Sequence, residues 1–139
     1  MMWKEKYRIG VDVVDNQHQE LFHRVSDFLI SVQRKGDWGQ KIAKVKETLA
    51  FMQEYVIVHF RDEENYQLQI NFPEYDEHKD VHARFRDMIN QYAIRFEKEG
   101  FTQELVQEFG GKLMTWLIMH VADMDQRIGA YVREQGGKG

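Results

Sequence analysis

Apolar residues recur at alternating spacings of three and four along four stretches of this chain, which predicts four amphipathic helices. The first runs from about Asp15, a plausible N-cap, to Arg34, with His18, Leu21, Val25, Phe28 and Val32 along its seam. After the turn Lys35–Gly39, Asp37 and Gln40 resemble a capping box for a second helix that ends near Asn71. Its seam is Ile42, Val45, Leu49, Met52 and Val56, and the same count continues onto His59 and Glu63. Pro73 is tolerated in a first turn, so a third helix is expected from there to about Lys98, with the seam His78, His82, Phe85, Ile89, Tyr92 and Phe96. Gly100 closes it, and Thr102 caps a fourth helix reaching roughly Glu134. That seam reads Phe109, Leu113, Trp116 or Leu117, His120, Met124, Ile128 and Tyr131, with a bend or a close helix contact expected at Gly110 and Gly111.

Residues 1–14 alternate Ile9, Val11 and Val13 with Gly10 and Asp12, but no second strand candidate exists to pair with them. They read as an extended arm laid across the bundle through Trp3 and Tyr7. The expected fold is therefore all-α, an up-down-up-down antiparallel four-helix bundle with an extended N-terminal arm. One domain fills residues 1–139: arm 1–14, bundle 15–134 and a flexible tail 135–139.

Composition narrows the classes of function. A net charge of −4 without a long basic run argues against nucleic acid as a partner. The absence of cysteine removes disulfides, thiolate ligands and cysteine nucleophiles, and fits the cytoplasm. The start MMWKEKYR is too polar for a signal peptide, and no apolar run nears the roughly 20 residues that span a bilayer, so no membrane partner is expected.

The chemistry lies where the seams turn polar. Five of the six histidines, His18, His59, His78, His82 and His120, fall on seams drawn from apolar neighbours alone, and every helix contributes at least one. His23 is off the seam and reads as a surface residue. An unpaired polar group in a core costs roughly 2–7 kcal/mol. A single core histidine is more often just hydrogen-bonded, but five together need more partners than an apolar core offers, and metal supplies them. Imidazoles with carboxylates and no thiolate suit iron, manganese or zinc, and so many ligands exceed the roughly four of one structural zinc, which implies two ions. The Glu-x-x-His pairs of carboxylate-bridged iron bundles are not the pattern here, since the one instance, Glu20 and His23, uses the off-seam histidine.

The set formed by His18 in VDNQHQELF, His59 and Glu63 in HFRDEE, His78 and His82 in HKDVH, and His120 to Asp125 in HVADMD closely resembles the hemerythrin family, in its single-domain bacterial form. The resemblance implies a non-haem di-iron centre with a bridging oxo or hydroxo group. One iron would be held by His78, His82 and His120, the other by His18 and His59, and Glu63 and Asp125 would bridge them. Regular helix geometry would prefer Asp123, about 60° around from His120, over Asp125 at about 140°. Following the family motif to Asp125 therefore implies a locally widened turn. With this ligand count, about one of roughly twelve octahedral positions stays open, on the iron with two histidines. The family binds dioxygen there, and by analogy the pocket is lined by Leu21, Phe60, Trp116, Leu117 and Val121. Many relatives carry a methionine one turn after the bridging glutamate, where this chain has Gln67. Its amide is expected to hydrogen-bond Glu63 or to draw water into the pocket, and so to shorten the life of the oxy form.

Reversible dioxygen binding for storage, delivery or scavenging is the leading expectation, and the chain is not expected to be an enzyme. The alternatives are an oxygen or redox sensor that acts through a separate, unidentified protein partner, and a centre that reduces peroxide or nitric oxide. No general acid or base beyond the ligands presents itself for the last of these.

Overall fold

The computed structural model describes residues 3–136, and the expected tail lies, from residue 137 on, outside the described residues. Its helices are α1 (Asp12–Gln33), α2 (Trp38–Gln69), α3 (Tyr75–Glu99), α4 (Gln103–Met119) and α5 (Asp125–Gly136). A π-helical turn, His120–Met124, joins α4 to α5, so the fourth rod of the bundle is broken in register but not in direction. No strand occurs among the described residues. Helix α1 packs on α2 and α4, and α2 packs on α3, as an up-down-up-down bundle requires.

The connections follow local chemistry. Helix α2 closes in a Schellman arrangement: Phe72 N–H donates to the Gln67 carbonyl and Asn71 N–H to that of Leu68, with Asn71 left-handed at φ 56°. Pro73 then occupies the second position of a turn in which Tyr75 N–H donates to the Phe72 carbonyl. It thus precedes α3 and does not start it. Asp37 stands at the N-cap of α2, but its side chain makes no capping bond, so the expected capping box does not form. Thr102 does cap α4, its hydroxyl accepting from Leu105 N–H at 3.1 Å.

The arm is shorter than residues 1–14. It contains a single 3₁₀ turn, Glu5–Tyr7, and α1 already starts at Asp12 with Val11 at its N-cap. Asp15 is therefore inside the helix and has a different task. Its buried carboxylate accepts from the backbone of Ile9 at 2.8 Å and of Gly10 at 3.1 Å, folding the arm back onto the bundle. Gly10 takes φ +91°, which side chains rarely adopt. Trp3 and Tyr7 pack edge and face on Phe22, as expected of the arm.

Two apolar clusters build the interior. The larger holds Leu21, Val25, Phe28, Met52, Val56, Phe60, Phe85, Phe109, Leu117 and Val121. The smaller, beneath the arm, holds Ile9, Val14, Phe72 and Ile128. Each such side chain contributes roughly 1.5–3 kcal/mol when fully buried. Between them, each rod of the bundle inserts polar residues: His18 on α1, His59, Glu63 and Gln67 on α2, His78 and His82 on α3, and His120 and Asp125 around the π turn. All eight are buried. A helical stripe has become a polar layer pressed between two apolar ones.

Candidate metal centre

Glu63 stands in the middle of this layer. Its Oε2 lies 3.3 Å from His18 Nε2 and 3.4 Å from His59 Nε2, while Oε1 lies 3.1 Å from His82 Nε2 and 3.6 Å from His120 Nε2. The two oxygens of one carboxylate thus face two different sets of imidazoles. Asp125 closes the layer from the other rod. Its Oδ2 is 2.9 Å from Nε2 of both His18 and His120, and its Oδ1 is 3.9 Å from His78 Nδ1.

The π turn makes this position for Asp125 reachable. Its backbone N–H donates to the His120 carbonyl five residues back, which widens the turn and swings Asp125 inward beneath His120. The side chain of Asp123 lies outside the described residues. The Gln126 amide donates to the Val121 carbonyl inside the turn and to the Tyr7 carbonyl at 2.7 Å, so the arm is tied to the segment that carries His120 and Asp125.

Outer partners orient three of the rings through Nδ1. His82 Nδ1 meets Glu64 Oε2 at 2.8 Å. His59 Nδ1 meets Gln17 Oε1 at 2.8 Å, and Gln17 Nε2 donates in turn to Asp62 at 2.8 Å. His78 Nδ1 meets the Gln67 amide at 3.0 Å. A carboxylate or carbonyl on Nδ1–H fixes the tautomer and leaves the Nε2 lone pair facing inward.

Burial and charge pull the groups in opposite directions. Burial alone would push His18 down, but Asp125 and Glu63 beside it carry it up to about 9. His59 is pushed down to about 3 by burial, which outweighs Glu63. Burial also lowers His78; it would lower His82 too, but there Glu63, Glu64 and Asp125 together outweigh it and raise the group. Burial would raise Glu63, yet His120, His18 and His82 hold it well below the usual carboxylate range. Asp125 is likewise kept low, against burial and Glu63, by His120 and His18. Both carboxylates are held ionised inside the core.

The donor set fits metal ions. His59 Nε2, His78 Nε2, His82 Nε2, His120 Nε2, Glu63 Oε1 and both carboxylate oxygens of Asp125 are buried without a hydrogen-bond partner among the described residues. Such orphans cost free energy unless something between them accepts their lone pairs. One donor atom from each of His18, His59, Glu63, His120 and Asp125 falls within 4.8 Å of all the others. His78 and His82 flank this group on α3, their rings 6.3 Å apart.

Residues 9–132 match the family model described as Hemerythrin HHE cation binding domain. The chain belongs to the hemerythrin family. Among curated hemerythrins it is 25% identical over 125 residues to the bacteriohemerythrin of Clostridium acetobutylicum, covering 90% of this chain and 95% of that protein. It is 26% identical over 136 residues to that of Stenotrophomonas maltophilia, covering 96% and 82%. A hemerythrin alpha subunit from Lingula reevii is 24% identical over 123 residues, covering 88% and 87%. The cofactor that goes with this hemerythrin domain and this donor set is a di-iron centre.

The residues expected around the hemerythrin pocket line the boundary between the polar layer and the larger apolar cluster. Phe60 stacks on His82 with ring centroids 3.8 Å apart, and Trp116 stacks on His120 at 4.5 Å. Leu21, Leu117 and Val121 are fully buried beside them in the same cluster. Gln67 differs from expectation, since its amide meets His78 and makes no hydrogen bond to Glu63 among the described residues. Sequence reasoning passed over Gln17, Asp62 and Glu64. Their signal was present, as Gln17 adjoins His18, and Asp62 and Glu64 flank Glu63. A polar residue beside a ligand on a helix projects away from the seam, though, and only a neighbouring helix decides what it meets. His23 is exposed, as expected.

Proposed function

We propose that this protein binds dioxygen reversibly at one open position of its di-iron centre, for storage, delivery or scavenging, with residues 1–139 forming one such domain. His78, His82 and His120 would hold one iron, His18 and His59 the other, with Glu63 and Asp125 bridging. The observation that carries this reading is the way Glu63 divides the imidazoles, one oxygen toward His18 and His59 and the other toward His82 and His120. When bound, the centre supplies the electrons and the vacant coordination position that dioxygen needs.

The chain's own residues supply the rest. Glu64 and the pair Gln17 and Asp62 keep the rings of His82 and His59 aimed inward. Leu21, Phe60, Trp116, Leu117 and Val121 form an apolar wall that keeps out water and protons, which would otherwise turn a reversible binder into spent ferric protein. That wall contains no general acid or base, which favours binding over turnover and over reduction of peroxide or nitric oxide. No helix among the described residues is long and apolar enough to cross a membrane, and the lack of cysteine suits the cytoplasm.

Metal analysis of purified protein tests the ligand set. Two irons per chain are expected, with a lower content in His78→Ala and in His120→Ala, and unchanged occupancy in either variant would sink the assignment. A second reading, a sensor, draws on one observation: Gln126 ties the Tyr7 carbonyl of the arm to the π turn between His120 and Asp125. Protease sensitivity of the arm that changes between the deoxy and oxidised protein, and is lost in Gln126→Leu, would favour it.

A further inference from the structure

Gln67 is fully buried, one turn beyond Glu63 on α2, at the end of the polar layer that faces the smaller apolar cluster. Its amide lies 3.0 Å from His78 Nδ1. The His78 ring has Phe72 edge-on against it at 5.3 Å, and its Nε2 has no partner among the described residues. The Gln67 amide is thus the hydrogen-bond partner that holds this ring through Nδ1, as Glu64 holds that of His82 and Gln17 that of His59, and the same Nδ1 lies 3.9 Å from Asp125 Oδ1.

We infer that Gln67 is a positioning residue for the metal centre, fixing the His78 ring through Nδ1 and so reserving its buried, partnerless Nε2 for the ion that His78 would share with His82 and His120. The inference rests on the ligand set proposed above. An amide suits this task in a way that an apolar side chain does not. With Nε2 of Gln67 donating, His78 carries its proton on its own Nε2. Turning the amide end about its last bond puts Oε1 in the same place, where it accepts from Nδ1–H and leaves the His78 Nε2 lone pair free. The ring is therefore held in one orientation both before and after it takes a metal ion. A carboxylate such as Glu64 favours only the second arrangement, and leucine or methionine supports neither.

The contact also sets which ion should feel the loss of Gln67. Among the described residues Gln67 hydrogen-bonds neither His18 nor His59, and the outer partner of His59 is Gln17, so only the ion bound through His78 should weaken. Outer partners of ligating histidines typically govern affinity by 10- to 100-fold.

The experiment is an anaerobic titration of the metal-free full chain with ferrous iron against a competing chelator, repeated with cobalt(II) to read ligand geometry from its visible absorption. Wild type, Gln67→Leu, Gln67→Met and Gln67→Glu are compared. In the leucine and methionine variants one of two ions should bind roughly 10- to 100-fold more weakly with an altered cobalt spectrum, while the other keeps its affinity. Gln67→Glu should restore most of the loss, because its carboxylate can accept from Nδ1–H. Equal thermal midpoints of the metal-free proteins would show that packing is not the cause. Unchanged constants and spectra in both apolar variants would overturn the inference, as would equal weakening of both ions without rescue by glutamate. A wild-type chain that fails to take two ions would overturn the ligand set as well, so the two failures are distinguishable.

Discussion

Asp125 Oδ2 and His120 Nε2 lie 2.9 Å apart, although the two residues are five positions apart on one rod of the bundle. Regular α-helical geometry would set them about 140° apart around the axis, on different faces. The π turn His120–Met124 removes that separation by adding a residue to one turn. Within the wider turn the Gln126 amide donates to the Val121 carbonyl, and Val121 and Ile128 are fully buried on either side.

Asp125→Asn should therefore perturb the di-iron spectrum and weaken iron binding, while Asp123→Asn leaves both intact. Absorption spectra and metal content of the two variants check this, and the opposite result would mean that an unbroken helix is the better guide to this segment.

How much of this was legible from residue order alone varies by feature, for physical reasons. The seams placed His18, His59, His78, His82 and His120 correctly in the interior, because a period of 3.6 residues reports facing direction directly. Asp125 was reachable only through the family motif, since a π turn leaves no trace in hydrophobic periodicity. Asp15 read as a helix cap. Its use as an acceptor for Ile9 and Gly10 depends on the arm doubling back, which local sequence does not encode. Gln67 was placed on the right face, one turn past Glu63, but which neighbour its amide meets is settled by α3 and not by α2.

The relay on His59 supports a second test. Gln17 accepts from His59 Nδ1–H and donates to Asp62, so Gln17→Leu removes the group that orients this ring. Iron affinity should fall by about 10- to 100-fold at the site using His59, leaving helicity unchanged. Chelator competition and circular dichroism measure the two quantities separately.

The paired glycines of α4 separate close packing from helix propensity. A Cβ on Gly110 would meet Leu29 Cδ2 at 3.0 Å and Phe28 Cε2 at 3.3 Å, whereas one on Gly111 would meet nothing within 4 Å. Gly111→Ala should raise stability by roughly 0.5–1 kcal/mol. Gly110→Ala should fall short of that by about 1 kcal/mol or more, because crowding on α1 cancels the gain. Denaturant melts of both variants would reveal the difference, and equal gains would show that α1 yields freely.

Removal of metal should lower the thermal midpoint of the wild-type chain, since the buried Nε2 atoms of His59, His78, His82 and His120 then lose the ion that would take their lone pairs. The same treatment should have a smaller effect on His120→Ala, which already lacks one donor. Scanning calorimetry with and without chelator gives both numbers.

Reversible dioxygen binding at a two-iron centre can be read optically. Protein loaded anaerobically with two ferrous ions per chain is exposed to air and then returned to argon. A charge-transfer absorption should rise on exposure, fall when oxygen is withdrawn and return over repeated cycles. A single irreversible rise to a ferric spectrum, or no change at all with two irons present, would contradict reversible binding.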